Sequence, residues 1–451
     1  MSNTNKSQYK KDEVFSEILV GYTEEMAINE AKRCLSCKTK PCMKGCPLSV
    51  DIPEFIKYIA NGEFYKAYTK IREKNVMPAI CGRVCNQKCQ CEKNCVRGIK
   101  GQPITIGRLE RFVADWVREN EKEEILKENK INKKVAIVGS GPSGLACAEH
   151  MIMYGYDVVI FEKSHFAGGV LMYGIPEFRL PKDIVFHQVK RLENMGVKIK
   201  TDVTIGKEYS IDDLLKDGFS AVYIATGAFV PRYMNIDGED SIGVYQANDF
   251  LANVKVGNSC DIISQNDIVA VIGGGNVAMD VARTAKRMNA SCVYVIYRRS
   301  EFYMPARREE IDGAKQDGVI FRFLENPKRI IKDEAGKVCE IECVNMEFED
   351  TDCDGRRKVV EVKNSEHRIK VNKVIFAIGQ YSNTFAIDNV DDIKTNDFGC
   401  IIVDENTNQT TKSGVFAGGD VVTGAATVAL AVKAGKNAAR HMDHYIKKLG
   451  N

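Results

Sequence analysis

Nine of the chain's 16 cysteines fall between Cys34 and Cys95, and the other seven are scattered. The first block reads Cys34-x2-Cys37-x4-Cys42-x3-Cys46-Pro47, and the second Cys81-x3-Cys85-x3-Cys89-x-Cys91-x3-Cys95. The opening residues, MSNTNKSQYKKDEVF, lack the apolar core of a secretory leader, so a cytoplasmic chain is expected. In that compartment thiols stay reduced, and clustering points to metal rather than to disulfides. Thiolates are soft donors that suit iron–sulfur clusters or zinc. A tight run of three cysteines followed by Cys-Pro matches a ferredoxin-type arrangement, in which the fourth cysteine serves a second cluster. Structural zinc sites use paired knuckles, and only Cys34/Cys37 has the usual two-residue gap. Iron–sulfur is the better reading; zinc is the alternative.

The rest of the composition excludes more than it assigns. Over 451 residues, 64 Lys and Arg offset 61 Asp and Glu, leaving a net charge of +3. That balance gives no electrostatic case for nucleic acid or anionic lipid. No apolar run approaches the ~20 residues a membrane span needs. Between the cysteine blocks, Asp51 is a candidate N-cap, Pro53 sits in a first turn and Asn61-Gly62 is a stop signal. A second helix is expected from Glu63 to about Lys74. Leu109, Phe112, Val113, Trp116 and Val117 recur at amphipathic spacing, and the charged run Glu119–Lys134 is the best linker candidate.

At Lys134 the texture changes. Val135–Val138 is a short apolar strand leading into Gly139-Ser140-Gly141-Pro142-Ser143-Gly144, and Glu162 ends the next strand. The glycines allow close approach of backbone to a pyrophosphate, the helix start stabilises its charge, and Glu162 can accept from a ribose hydroxyl. The pattern returns at Ile268–Ile272, followed by Gly273-Gly274-Gly275-Asn276-Val277-Ala278. Here the following strand, Cys292–Tyr297, ends in Arg298-Arg299 instead of an acid. Two guanidiniums suit a 2′-phosphate, which argues for NADPH over NADH. Arg307 and Arg308 are either further clamps or a solvated basic turn. The expected fold is α/β: an N-terminal helical iron–sulfur domain (1–132), then two Rossmann-like domains. The NADPH domain (232–377) is inserted into an FAD domain made of 133–231 and 378–451.

The segment Cys34–Pro53, the runs Ala79–Cys85 and Ile106–Phe112, and Cys91-Glu92 with Cys95 resemble the small subunit of NADPH-dependent glutamate synthase. They are similar also to the large subunit of the NADH-dependent ferredoxin:NADP oxidoreductase and to the N-terminal half of dihydropyrimidine dehydrogenase. The resemblance, from about Tyr22 to the C-terminus, implies FAD, NADP(H) and two [4Fe–4S] clusters. It implies Cys34, Cys37, Cys42 and Cys95 as ligands of one cluster. The other would take Cys46, Cys85, Cys91 and Glu110, with Cys89 an alternative to Glu110 and Cys81 spare. Residues Gly168–Pro181 resemble a flavin-contacting run, with Gly169 and Leu171 at the cofactor and Arg179 facing its phosphate or adenosine. Thr226, Gly227 and Gly379 join the binding set. The closing run Gly414–Asp420 resembles a second FAD fingerprint; Gly419 and Asp420 would meet the ribityl chain, and Ala426, Thr427 and Val428 the flavin ring.

No catalytic side chain is expected, because hydride transfer between NADPH and flavin is carried by the cofactors. A disulfide reductase would need a paired cysteine after a glycine fingerprint, and none follows either one. Three functions remain. The favoured one is the electron-entry subunit of glutamate synthase, in a hetero-oligomer with its large subunit. The second is a bifurcating ferredoxin:NADP oxidoreductase subunit with a ferredoxin or flavoprotein partner. The third is a zinc-stapled nucleotide-sensing module.

Overall fold

The computed structural model describes residues 15–120, 130–255, 262–351, 357–388 and 390–449. The chain forms two compact units. One comprises Glu17–Met172, Glu177–Val230 and Tyr381–Asn451; the other is built mainly from Pro231–Gln380.

The first unit begins with α1 (Glu24–Lys32), α2 (Pro41–Gly45), α3 (Ile52–Ala60), α4 (Phe64–Arg72), α5 (Pro78–Val84) and α6 (Ile106–Asn120). Asp51 stands at the N-cap of α3, yet its carboxylate makes no capping bond. It takes the Lys40 ammonium instead, at 2.8 and 2.9 Å. Asn61 closes α3, and Gly62 follows with φ +75°, a conformation that glycine adopts without steric cost. On α6 the residues Leu109, Phe112, Val113 and Val117 are buried. Phe64 meets Phe112 edge-on at 5.1 Å and Trp116 at 5.2 Å. Trp116 sits at the wet margin of that face, its indole N–H donating to Glu24 at 2.8 Å. Residues 121–129 of the expected linker lie outside the described residues; α6 itself runs on to Asn120.

The unit continues as β1 (Lys134–Val138), α7 (Pro142–Met153), β2 (Asp157–Phe161), α8 (Val170–Tyr173), α9 (Lys182–Met195), β3 (Lys198–Lys200), α10 (Ile211–Lys216) and β4 (Phe219–Ile224). The chain leaves through β5 (Val230–Pro231) and forms β6 (Val244–Gln246), α11 (Ala247–Lys255), β7 (Ile268–Ile272), α12 (Asn276–Arg287), β8 (Cys292–Tyr297), α13 (Arg308–Gln316) and β9 (Ile320–Phe323). Then come β10 (Glu325–Lys332), β11 (Val338–Thr351), β12 (Arg357–Glu361), β13 (His367–Lys370) and β14 (Lys373–Phe376). The return runs through β15 (Gln380–Tyr381) to β16 (Val415–Ala417), α14 (Asp420–Thr423) and α15 (Val428–Leu449).

Two five-stranded sheets result, in the orders β16-β4-β1-β2-β3 and β6-β14-β7-β8-β9. Every pairing in both is parallel. Strands buried on both faces must read as unbroken apolar runs, as Val135–Val138 and Val269–Ile272 do. Val415, Phe416 and Ala417 pair with Val222, Tyr223 and Ile224, so the last segment completes the sheet that the first half began. That pairing makes the second Rossmann-like sheet an insertion into the first. Antiparallel β10, β11, β12 and β13 form a further sheet in the inserted unit. Its apolar side, Ile330, Ile341 and Ile369, packs with Ile272 and Phe376. Cys339 and Cys343 both lie on β11. Among the described residues no helix is long and apolar enough to cross a membrane.

Candidate cofactor and metal sites

The two glycine fingerprints have the same local geometry. Gly139 (φ +101°) and Gly273 (φ +139°) each need the left-handed region, and each presses on a neighbouring carbonyl. A Cβ on Gly139 would lie 2.5 Å from the Ala225 oxygen, and one on Gly273 2.4 Å from the Ala377 oxygen. The middle glycines differ: a Cβ on Gly141 or Gly275 would meet nothing within 4 Å. Those glycines are the N-caps of α7 and α12, and neither helix has a side-chain cap or an acid in its first turn. Free N–H groups beside open space fit a pyrophosphate. Gly144 locks helix to strand, since a Cβ there would fall 2.0 Å from the Gly139 oxygen; its counterpart Ala278 is fully buried. Pro142 occupies the first turn of α7, and the Ser143 hydroxyl bonds the buried Tyr223 hydroxyl at 2.6 Å.

Glu162 is buried just beyond β2. It accepts from the Ser140 N–H and hydroxyl at 3.0 and 2.6 Å, and from the Ser164 N–H at 2.8 Å. The Ser140 hydroxyl also accepts from the Gly168 N–H at 2.9 Å, tying the 168–169 turn to the fingerprint. Gly169 is close enough to Gly141 that a Cβ would stand 2.8 Å from its Cα. Leu171 is fully buried and its carbonyl accepts from Lys182 at 2.8 Å, while Arg179 is half-buried between Phe178 and Leu180. Gly419 (φ +77°) packs on Ser143, where a Cβ would lie 2.9 Å from the serine Cβ. The closing fingerprint therefore meets the opening one at the start of α7. Burial raises the Asp420 carboxyl to about 6, and it accepts from the Ala426 N–H at 3.3 Å. Thr427 caps α15 by accepting from Leu430 at 3.3 Å, with Val428 its first residue. The Thr226 hydroxyl donates to the Asn383 carbonyl at 2.5 Å, beside Gly227 (φ +73°).

In the inserted unit, Gly273 donates to the Ile296 carbonyl at 3.0 Å, which sets the end of β8 beside the fingerprint. Arg298 is exposed, and the buried Nε of Arg299 has no hydrogen-bond partner among the described residues. Gly274 lies against the Tyr297 ring, and Val277 is partly exposed. The Asn276 side chain accepts from the Arg307 N–H at 2.9 Å. Arg307 is held by Glu310 at 2.7 Å, and Arg308 by Glu301 and Asp312. Gly379 (φ +107°) accepts from the Arg232 N–H at 3.3 Å.

The cysteine blocks fold into two groups. Burial raises the Cys42 thiol to about 11, with Cys34 and Cys95 adding to the rise. Burial also raises Cys34, which feels Cys95 and Cys37. In the second group, burial raises Cys46 and Cys91; Cys46 feels Glu110 and Cys85, and Cys91 feels Glu110, Cys46 and Cys85. Glu110 is half-buried on α6 beside Cys46 and Cys91. Burial pushes its carboxyl up to about 7 against the opposing pull of the Asn75 amide, which donates to it at 2.7 Å. Cys81 is buried and contacts the Asn75 side chain, while Cys89 is exposed. Among the described residues no three His, Cys, Asp or Glu side chains converge on a single ion. Cys260 and Cys353 lie outside the described residues; Cys147, Cys292, Cys339, Cys343 and Cys400 are free thiols.

Residues 133–438 match the family described as pyridine nucleotide-disulphide oxidoreductase, and residues 10–122 match dihydropyrimidine dehydrogenase domain II, 4Fe-4S cluster. The glutamate synthase [NADPH] small chain of Escherichia coli is 35% identical over 437 residues, covering 94% of this chain and 92% of that one. The chain belongs to the glutamate synthase small-chain family. It is an oxidoreductase of that type. Other members differ in setting. The NADP(+)-dependent formate dehydrogenase subunit beta of Moorella thermoacetica is 37% identical, but the chain spans only 60% of its length. The Mycobacterium tuberculosis FprA structure in complex with NADPH aligns over 71% of this chain and 85% of that one, with TM-score 0.57 at 20% identity. Lactococcus lactis thioredoxin reductase aligns over 70% of this chain and all of that one, with TM-score 0.56 at 20% identity. These two show the fold alone.

Within this small-chain family member, sequence reading missed Asn75 and Ser140 as supports of the sites. Ser140 stands inside a recognised fingerprint, and its hydroxyl could have been weighed. Asn75 carries no motif; only packing brings it to Glu110 and Cys81.

Proposed function

We propose that the chain is the electron-entry subunit of a glutamate synthase. It would bind FAD through 133–231 and 378–451 and NADP(H) through 232–377, and hold two [4Fe–4S] clusters within 1–132. When bound, these groups supply hydride transfer from nucleotide to flavin and single-electron passage onward to a partner. The observation that supports the reading is that Cys34, Cys37, Cys42 and Cys95, and Cys46, Cys85, Cys91 and Glu110, interact as two groups of side chains in the same compact unit as an open pyrophosphate cradle.

Each group fits its expected occupant. The Gly141 and Gly275 cradles leave room at the helix starts of α7 and α12. Glu162 keeps acceptor capacity toward a ribose, and Arg298 with Arg299 places positive charge where a 2′-phosphate would lie. Cys34, Cys37, Cys42 and Cys95 would ligate one cluster; Cys46, Cys85, Cys91 and Glu110 the other. Exposed Cys89 is the poorer candidate for the last position. The spacing of the cysteine blocks, with one two-residue knuckle and a closing Cys-Pro, suits iron–sulfur better than zinc.

Anaerobically reconstituted protein is expected to contain ~8 iron per chain. Mixed with a glutamate synthase large subunit, it should convert glutamine and 2-oxoglutarate to glutamate at the expense of NADPH. About four iron or fewer would defeat the two-cluster assignment. Failure to support glutamate formation, with electrons still passing from NADPH to a ferredoxin, would move the chain to the second reading.

A further inference from the structure

The helical part and the flavin-side sheet lie in one compact unit, and a buried carboxylate holds a charged link between them. Glu149, fully buried on α7, is the carboxylate. Arg72, at the end of α4, reaches it from the helical part, and Arg191 on α9 reaches it at 2.9 Å from the same side of the unit as α7. Gln188 donates to its second oxygen at 3.2 Å, and Arg72 also binds the Val76 carbonyl. Three residues beyond Arg72 stands Asn75, whose amide holds Glu110. A short stretch, Arg72 to Asn75, thus grips the flavin-side helix at one end and a candidate cluster ligand at the other. Other links lie apart from this pair: the Ile18 N–H donates to the Phe178 carbonyl at 3.1 Å, Lys436 to the Glu73 carbonyl at 3.0 Å, and Arg118 to Asp183 at 3.1 Å. A cleft of about 280 Å³, lined by Tyr68, Pro78, Ile184 and Arg191 among others, opens beside them, so the seam is not continuously packed.

We propose that Glu149 and Arg72 are positioning residues that hold the helical part at a fixed distance from the flavin cradle, so that electron passage between them depends on this buried pair. The inference rests on the reading that both groups are loaded and exchange electrons. α7 carries the cradle at its N-terminus and Glu149 two turns later, so a shift at Glu149 is transmitted along a rigid helix to the flavin side. Removing either arginine leaves Glu149 short of one partner, but of the two only Arg72 comes from the helical part.

The test compares Arg72→Met with Arg191→Met, and adds Arg72→Lys as the conservative variant. Three readouts are taken anaerobically: NADPH oxidation with ferricyanide drawing electrons at the flavin, freeze-quench electron paramagnetic resonance of cluster reduction, and hydrogen exchange of residues 64–84 in cofactor-free protein. Arg72→Met should keep the ferricyanide rate within about twofold and slow cluster reduction by about tenfold or more. It should also speed exchange across α4 and α5. Arg191→Met should keep cluster reduction near wild type, and Arg72→Lys should recover part of the loss. Equal cluster-reduction rates in the two methionine variants, whether fast or slow, overturn the inference while leaving the function intact. A wild type whose clusters are not reduced by NADPH at all overturns the functional reading and this inference with it.

Discussion

Arg298 stands exposed at the end of β8, where an acid would repel a 2′-phosphate. A guanidinium there would add charge-assisted bonds to the phosphate that NADH lacks. Arg298→Glu should raise the KM for NADPH about tenfold or more and that for NADH far less; steady-state kinetics with both nucleotides check this, and parallel rises would refute it. His150, next to Glu149, offers a pH test. Burial lowers its ring to about 4 from an ordinary 6.5, despite the opposing pull of Glu149. Below pH 6.5 the unfolded chain takes up a proton that the folded chain refuses, so stability falls as pH drops toward 4. Between pH 7 and 5 the loss is about 2 kcal/mol. His150→Gln should lose correspondingly less stability over that range in denaturant titrations.

At the scale of elements, the β1–α7 junction separates packing from binding. Gly144 has the Gly139 carbonyl where a Cβ would go, and Gly141 has open space. Gly144→Ala should destabilise cofactor-free protein by about 1–3 kcal/mol, through a forced shift of helix from strand. Gly141→Ala should leave that stability within about 0.5 kcal/mol yet purify with little flavin, because the methyl would occupy the pyrophosphate's space. Thermal midpoints and bound flavin measure the two effects separately. Both elements were legible beforehand: apolar strand, glycine run, helix and second strand fall where their residues foretold. Asp51 shows the opposite. Its type and place suit a cap, but Lys40, brought near by folding, binds its carboxylate instead. The bounds of the antiparallel strands β10–β13 were not read, although Glu340-Ile341-Glu342-Cys343 alternates as a half-buried strand does.

The whole molecule has a charge of only +3, yet the cysteine blocks are locally basic. Lys38, Lys44, Lys88, Lys93, Arg97 and Lys100 are exposed, and Glu92, the single acid in 85–103, is half-buried and accepts from the Gly107 N–H at 3.1 Å. Exposed Leu35, Val96 and Ile99 stand among them, adjoining Cys34 and Cys95. A partner drawing electrons from the Cys34 group should present acidic residues there. Its encounter rate should fall several-fold from ~50 to ~500 mM salt, while flavin reduction by NADPH within the chain changes little. Stopped-flow traces at the two ionic strengths check this; a salt-independent transfer rate would remove the basic surface from the reading.

Residue type and spacing alone determined that this chain has clustered cysteines ahead of two nucleotide-type β–glycine–α starts, because glycine conformation and residue spacing are local properties. Only the tertiary structure decided that Asn75 reaches both Glu110 and Cys81, and that Arg72 reaches Glu149. Burial and contact between residues far apart in the chain are made by packing, and no local pattern encodes them.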